Sequence, residues 1–95
     1  MKLAGKVAIV TGAGRNIGEE ISVLFAAEGA KVAVVDMDEV RAKAVADRIN
    51  GAGGDACALV CDVSDTGDIG RMVSATVEAF DAIDILVNNV AISDN

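Results

Sequence analysis

Glycines crowd one short stretch, Thr11-Gly12-Ala13-Gly14-Arg15-Asn16-Ile17-Gly18, directly after the apolar run Val7-Ala8-Ile9-Val10 and before a stretch of helical period. A strand-to-helix turn at that place aims several backbone N–H groups and the positive end of a helix dipole at one spot. Glycines let an anion approach the backbone closely, so phosphate is the guest that such a turn suits. The Walker pattern is excluded, because neither Gly12 nor Gly14 has a glycine five residues on and Gly18 is followed by Glu19 rather than lysine. The spacing also departs from G-x-G-x-x-G, with Ile17 at the third glycine position. A carboxylate, Asp36, follows 24 residues after Gly12 at the end of a second apolar run. Dinucleotide-binding folds place the acceptor for the adenosine ribose hydroxyls close to that position. A carboxylate there repels a 2′-phosphate, which favours NAD over NADP as the cofactor. Alone, Asp36 also suits a turn or a helix cap.

These residues need a scaffold, and the pattern around them supplies one. Short runs rich in Val, Ile and Ala alternate with helical stretches, the signature of a parallel sheet with crossover helices. The predicted strands are Lys6 to Thr11, Lys31 to Asp36, about Ala56 to Cys61, and Asp84 to Asn88, each nearly continuously apolar. The first crossover helix carries Ile17, Ile21, Leu24 and Phe25 on one face and ends at Gly29, a left-handed cap. The second carries Val40, Ala44, Val45 and Ile49, capped by Asp38 and ended by the Gly51-Ala52-Gly53-Gly54 turn. The third carries Ile69, Val73, Thr76, Val77 and Phe80, with Ser64 or Asp65 to cap it. The expected fold is α/β: the N-terminal part of a Rossmann-like, doubly wound parallel sheet, with about four strands in the order 3-2-1-4 and three crossover helices.

Composition narrows the chemistry further. The 95 residues include 8 basic and 15 acidic side chains, for a net charge of −7, and no His, Tyr, Trp or Pro. Without His or Tyr, every mechanism using a histidine base, a histidine ligand or a tyrosine acid is excluded for these residues. Residues 62–95 carry 1 basic and 7 acidic groups, which makes nucleic acid an unsuitable partner. No run approaches the about 18 apolar residues of a membrane helix, and Val7 to Val10 is too short for a signal-peptide core. The expectation is a cytoplasmic protein with no membrane partner. Cys57 and Cys61 lie four apart in the third strand, about 13 Å along one face, too far for a disulfide. No further soft ligands accompany them, so they are read as small buried apolar side chains, and no metal site is expected.

In these residues the chain resembles the short-chain dehydrogenase/reductase family, whose glycine motif is T-G-x-x-x-G-x-G and whose fourth strand ends in N-N-A-G. The counterparts here are Thr11-Gly12 through Gly18 and Asn88-Asn89-Val90-Ala91; Cys61-Asp62-Val63-Ser64 resembles the family's D-V step, and Asp84-Ile85-Leu86-Val87 its fourth strand. The resemblance implies an NAD-dependent oxidoreductase acting on a small-molecule alcohol or carbonyl. It implies that Gly12, Gly14, Arg15, Asn16, Ile17 and Gly18 line the pyrophosphate and ribose. By the same resemblance Asp36 and Met37 take the adenosine ribose, Asp62 and Val63 the adenine, and Asn88, Asn89 and Val90 the far ribose. Each position has a plainer role beside it: Asp62 as a helix cap, Asn88 and Asn89 as partners of sheet-end backbone, Val63 and Met37 as packing residues, Arg15 as a solvated charge.

Three departures stand out. Asn16 replaces the middle glycine, Val90 and Ala91 replace the Ala and Gly of the second motif, and Arg15 resembles a feature of NADP-using members whereas Asp36 resembles one of NAD-using members. The family's Ser and Tyr-x-x-x-Lys have no counterpart here, so the catalytic set is none. The reading is therefore a single, truncated dinucleotide-binding domain over residues 1–95, inactive alone and self-associating through an open fourth-strand edge at Ile85, Leu86 and Val87. Two alternatives use the same residues: a free-standing, non-catalytic dinucleotide-binding module, and a methyltransferase-like fold holding another adenosyl cofactor.

Overall fold

The structure is a computed structural model that describes residues 1–14 and 16–89. Four strands alternate with three helices: β1 (Val7–Thr11), α1 (Asn16–Ala27), β2 (Lys31–Asp36), α2 (Glu39–Gly51), β3 (Asp55–Val60), α3 (Thr66–Phe80) and β4 (Ile85–Asn88). The strands form one parallel sheet in the order β3-β2-β1-β4, as expected from the alternation. Register runs Val7 to Lys31 and Thr11 to Val35 between β1 and β2, and Ala8 to Ile85 and Thr11 to Asn88 between β1 and β4. The carboxyl ends of β1, β2 and β4 therefore come together, with the glycine turn leaving β1 among them.

Side chains alternate across the central strands and divide the core in two. Val10, Val32 and Val34 face α2 and its Ala42, Val45, Ala46 and Ile49, with Phe25 of α1 and Val87 of β4 packed against them. Ile9, Ala33 and Val35 face the opposite side, joined by Cys61, Met72 and the partly buried Ile69 and Ile83. Every residue of β1 is buried, as befits a strand covered on both faces. The outer strands depart from the expected continuous burial. Residues of β3 and β4 are only partly buried or exposed, because each is an edge of this sheet, and Leu86 is 61% exposed while Ile85 and Val87 are partly buried.

The sheet begins one residue later than expected at β1 and β4, because Asp84 acts as a clamp. Its carboxylate accepts the Val7 N–H at 2.9 Å and its own N–H bonds the Val7 carbonyl at 2.8 Å. Strand β3 lies one residue earlier, where the Asn50 side chain pairs with both the N–H and the carbonyl of Ala56 at 2.8 and 3.0 Å.

The predicted helix faces need correction. On α1 the residues set against the sheet are Gly18 and Ser22, with Ile21 and Phe25 only partly buried, while Ile17 and Leu24 are 68% and 59% exposed. Small residues let α1 lie close to the turn that starts it, which rotates the larger apolar stripe outward. On α2 the buried set is Ala42, Val45, Ala46 and Ile49; Val40 and Ala44 are exposed. On α3 Met72 and Thr76 are buried, and Val73 and Val77 lie at the margin of the face. The caps behave as the residue types demand. Asp38 accepts the Arg41 N–H, Asp65 accepts those of Gly67 and Asp68, and Gly29 adopts φ +97°, open to glycine at no steric cost.

Both cysteines are free; Cys61 is buried and Cys57 partly so, and burial pushes both thiols up from their ordinary values. Among the described residues no group of His, Cys, Asp and Glu has the placement to hold a metal. No helix among them is long and apolar enough to cross a membrane.

Candidate cofactor site

The turn after β1 is held from below by its neighbour strand. Ala13 N–H bonds the Val35 carbonyl at 2.9 Å, and Gly14 N–H bonds Asp36 Oδ2 at 2.9 Å. Gly12 turns the chain at φ +62°, a left-handed conformation that favours glycine, and Asn16 takes φ +54° at the first position of α1. Asparagine visits that region more readily than most residues, which explains how it stands where the family motif has glycine.

Gly14 and Gly18 are required for space. A Cβ on Gly14 would lie 2.7 Å from Arg41 Cβ, 2.7 Å from Asp36 Oδ2 and 2.9 Å from Asp36 Cγ. On Gly18 it would overlap the Gly12 carbonyl and lie 2.7 Å from Asn89 Nδ2. The two glycines thus let β1, β2, β4 and α1 converge at one point. The first-turn N–H groups of α1 have no carbonyl partner within the helix, and they share this point with its positive dipole end. An anionic diphosphate fits that donor set.

Asp36 divides its carboxylate between two backbone groups: Oδ2 accepts from Gly14 and Oδ1 accepts the Asp38 N–H at 2.9 Å. Both oxygens keep a further lone pair for a hydroxyl donor. Met37, 68% exposed, borders the same groove together with Asp38 and Arg41. Asp36 is thus a turn residue and a ribose candidate at once, and the two roles are compatible.

Asp62 sits beyond β3, where Cys61 N–H bonds the Asp36 carbonyl at 3.2 Å and so ties this segment to the end of β2. Its Oδ1 accepts the Ser64 hydroxyl at 2.6 Å and the Ser64 N–H at 3.0 Å. The helix cap is Asp65, not Asp62. The Ser64 hydroxyl, with the Ser64 amide, holds the Asp62 carboxyl below the usual aspartate range. A depressed folded-state value means that this turn's contribution is present above the ordinary aspartate pKa and lost as pH falls through the lowered one. In a carboxyl carbon-13 titration, Ser64→Ala is expected to move the Asp62 midpoint upward; an unmoved midpoint would discard this account. Val63 is partly buried against the core beneath α3.

At the end of β4, Thr11 is the joint. Its hydroxyl accepts the Asn89 N–H at 3.0 Å and has the Val87 carbonyl at 3.3 Å and Asn88 Oδ1 at 3.2 Å as acceptors for its single proton. Asn89 is thereby held beside Gly18, and Asn88 lies exposed at the strand end. The structure brings Gly12, Gly14, Gly18, Asp36 and Asn89 together at the carboxyl end of the sheet. Asn16 and Ile17 are exposed at the start of α1, and Asp62 and Val63 lie along the rim. Arg15 and Val90 lie outside the described residues. Sequence reasoning missed Thr11 and Arg41 as members of this site. The spacing of Arg41 three residues after the cap Asp38 was the available signal for the second.

Comparison with known proteins agrees with this geometry. The short chain dehydrogenase family profile matches residues 6–95. Galactitol 2-dehydrogenase of Agrobacterium fabrum is 49% identical over 94 residues, spanning 99% of this chain and 36% of that protein. A 7α-hydroxysteroid dehydrogenase solved with NADH and 7-oxo glycochenodeoxycholic acid superposes with a TM-score of 0.90 at 40% identity, over 92% of this chain and 34% of that one. A metagenomic short-chain oxidoreductase solved with NADP gives a TM-score of 0.90 at 36% identity, over 97% and 42%. The chain spans 34 to 36% of the length of the curated relatives it matches. With the glycine turn, the β2 aspartate and the four-strand order all in place, the chain belongs to the short chain dehydrogenase family of oxidoreductases.

Proposed function

We propose that these residues form the dinucleotide-binding portion of an NAD-dependent oxidoreductase that moves hydride between the nicotinamide and a small alcohol or carbonyl substrate. The observation carrying this reading is the Asp36 carboxylate, fixed at the end of β2 by the Gly14 and Asp38 N–H groups and facing the groove beside the glycine turn. A carboxylate so placed accepts ribose hydroxyls and repels a 2′-phosphate. Bound NAD would supply the ring that takes or gives hydride. The residues present here bind and orient it: the glycine turn and α1 N-terminus at the pyrophosphate, Asp36 and Met37 at the adenosine ribose, Asp62 and Val63 at the adenine, Asn88 and Asn89 toward the far ribose.

Proton delivery is the part these residues do not supply. Reduction of a carbonyl needs a positioned acid, typically worth about 10²–10⁴-fold, and the sequence holds neither Tyr nor His. Lys2 and Lys6 lie before β1, Lys31 at the start of β2 and Lys43 within α2, all away from the carboxyl ends of the strands. The 95-residue chain alone is therefore expected to turn over no ketone or aldehyde. Calorimetric titration with NAD, NADP and S-adenosylmethionine, combined with NADH absorbance assays, tests the reading. Binding of NAD with no turnover supports it; preferential binding of S-adenosylmethionine would replace it with the methyltransferase-like alternative.

The exposed Leu86 and the open β4 edge further support self-association of this chain when studied alone. Sedimentation is expected to show dimers or larger species at high concentration. A monodisperse monomer would favour the free-standing module.

A further inference from the structure

We propose that Arg48 is a positioning residue of the cofactor site: it draws the Glu19 carboxylate toward α2 and so keeps the N–H groups at the start of α1 open to a phosphate. The inference rests on the dinucleotide reading above and concerns an ion pair between α1 and α2, apart from the glycine turn and from Asp36. Asn16, at φ +54°, stands outside helical backbone, so regular helix begins at Ile17 and Glu19 is its third residue. An asparagine followed three residues later by a glutamate has the spacing of a capping box, in which the glutamate reaches back to the backbone N–H at the helix start. A carboxylate in that place competes with a bound diphosphate for the same donors and the same dipole end. Left to local rules, the α1 sequence supplies its own anion.

In the structure Glu19 is turned to another partner. Its Oε2 atom accepts from Arg48 Nη1 at 2.7 Å, across 29 positions of the chain. Glu20 Oε2 lies 3.5 Å from the same nitrogen and its side chain is far more exposed, so Glu19 is the closer partner. Asn16, Ile17, Glu19 and Glu20 border one open groove along α1, which keeps the carboxylate within the stretch that starts the helix. Arg48 belongs to the last turn of α2, and the plainer role of its contact with Glu19 is to fasten α2 to α1. The two roles differ in sign. If the pair is a fastener, loss of either partner weakens the site; if Arg48 withholds Glu19, loss of Arg48 weakens phosphate binding and loss of Glu19 does not. A partly exposed ion pair contributes little as a fastener, whereas a charge moved onto a helix N-terminus acts directly on an anion bound there.

The test measures Kd for ADP, inorganic pyrophosphate and adenosine by calorimetry on the protein and on Arg48→Gln, Glu19→Ala and the double variant. Alanine is chosen at Glu19 because glutamine also completes a capping box. The Arg48→Gln change is expected to weaken ADP and pyrophosphate by about fivefold, the scale of one charge at a helix N-terminus, and to leave adenosine, which has no phosphate, unmoved. The Glu19→Ala change is expected not to weaken ADP, and Arg48→Gln is expected to have little further effect once Glu19 is alanine. An ADP affinity unchanged in Arg48→Gln overturns the assignment. Equal losses in Arg48→Gln and Glu19→Ala, or equal losses of ADP and adenosine, overturn it in favour of a structural fastener. An Arg48→Gln effect of the same size with and without Glu19 overturns the withholding role in favour of direct attraction between Arg48 and the phosphates. Failure of all three ligands to bind the unmutated protein would instead overturn the cofactor reading itself.

Discussion

Replacing Gly18 with alanine is expected to destabilise the protein and to weaken dinucleotide binding, although alanine is the better helix former. Gly18 lies inside α1, where helix propensity alone predicts a gain of about 1 kcal/mol. The added Cβ overlaps the Gly12 carbonyl, which is backbone and cannot swing away, and presses on Asn89 Nδ2 at 2.7 Å. Overpacking of this kind costs about 1–3 kcal/mol, so the sign of the stability change decides between local propensity and tertiary approach. The turn must move away from α1 to relieve the overlap, which separates the first-turn N–H groups from the proposed pyrophosphate position and is expected to weaken NAD by about tenfold or more. Urea unfolding and calorimetric titration measure the two effects. A Gly18→Ala variant that is more stable and binds NAD normally would show that the close approach of β1, α1 and Asn89 is not required.

The second large effect is expected at Asp36. Alanine there removes the acceptor for the Gly14 and Asp38 N–H groups, as well as the proposed partner of the ribose hydroxyls. NAD should weaken by about 1–3 kcal/mol, the range for losing a charged hydrogen-bond partner, and the gap to NADP should narrow because the repulsive charge has gone. Asp36→Asn separates the contributions, since one amide oxygen still accepts from Gly14 while the charge is absent. Competitive titration of both cofactors on both variants measures this. An unmutated protein that prefers NADP would overturn Asp36 as the group that controls the pocket.

The two substitutions probe different kinds of information. The place of Asp36 at the end of β2 was legible from the second apolar run, and the chemistry proposed for it rests on its residue type at that place. The demand on Gly18 was legible only as a motif letter. Its cause is the overlap with Gly12 and Asn89, the latter 71 positions further along the chain and brought alongside by the Thr11 hydroxyl. Arg41 shows the same limit: its sequence spacing implied a helix-surface pair with Asp38, while its position over Gly14 depends on how α2 lies against the turn.

The sequence by itself determined the element order, the sheet class, the Asp38 and Gly29 caps and the location of the glycine turn. Each of these is set by local rules: hydrophobic period, side-chain hydrogen bonding to nearby backbone, and the freedom of glycine at positive φ. Tertiary structure alone decided which helix faces are buried and which strand side chains remain exposed. Ile17, Leu24 and Val40 have the spacing of core residues yet face solvent, because α1 approaches the sheet through Gly18 and Ser22 and α2 through Ala42 and Ala46. Periodicity records that a helix has an apolar side, but the angle at which that side meets the sheet follows from how closely two backbones can approach, a property of both partners together.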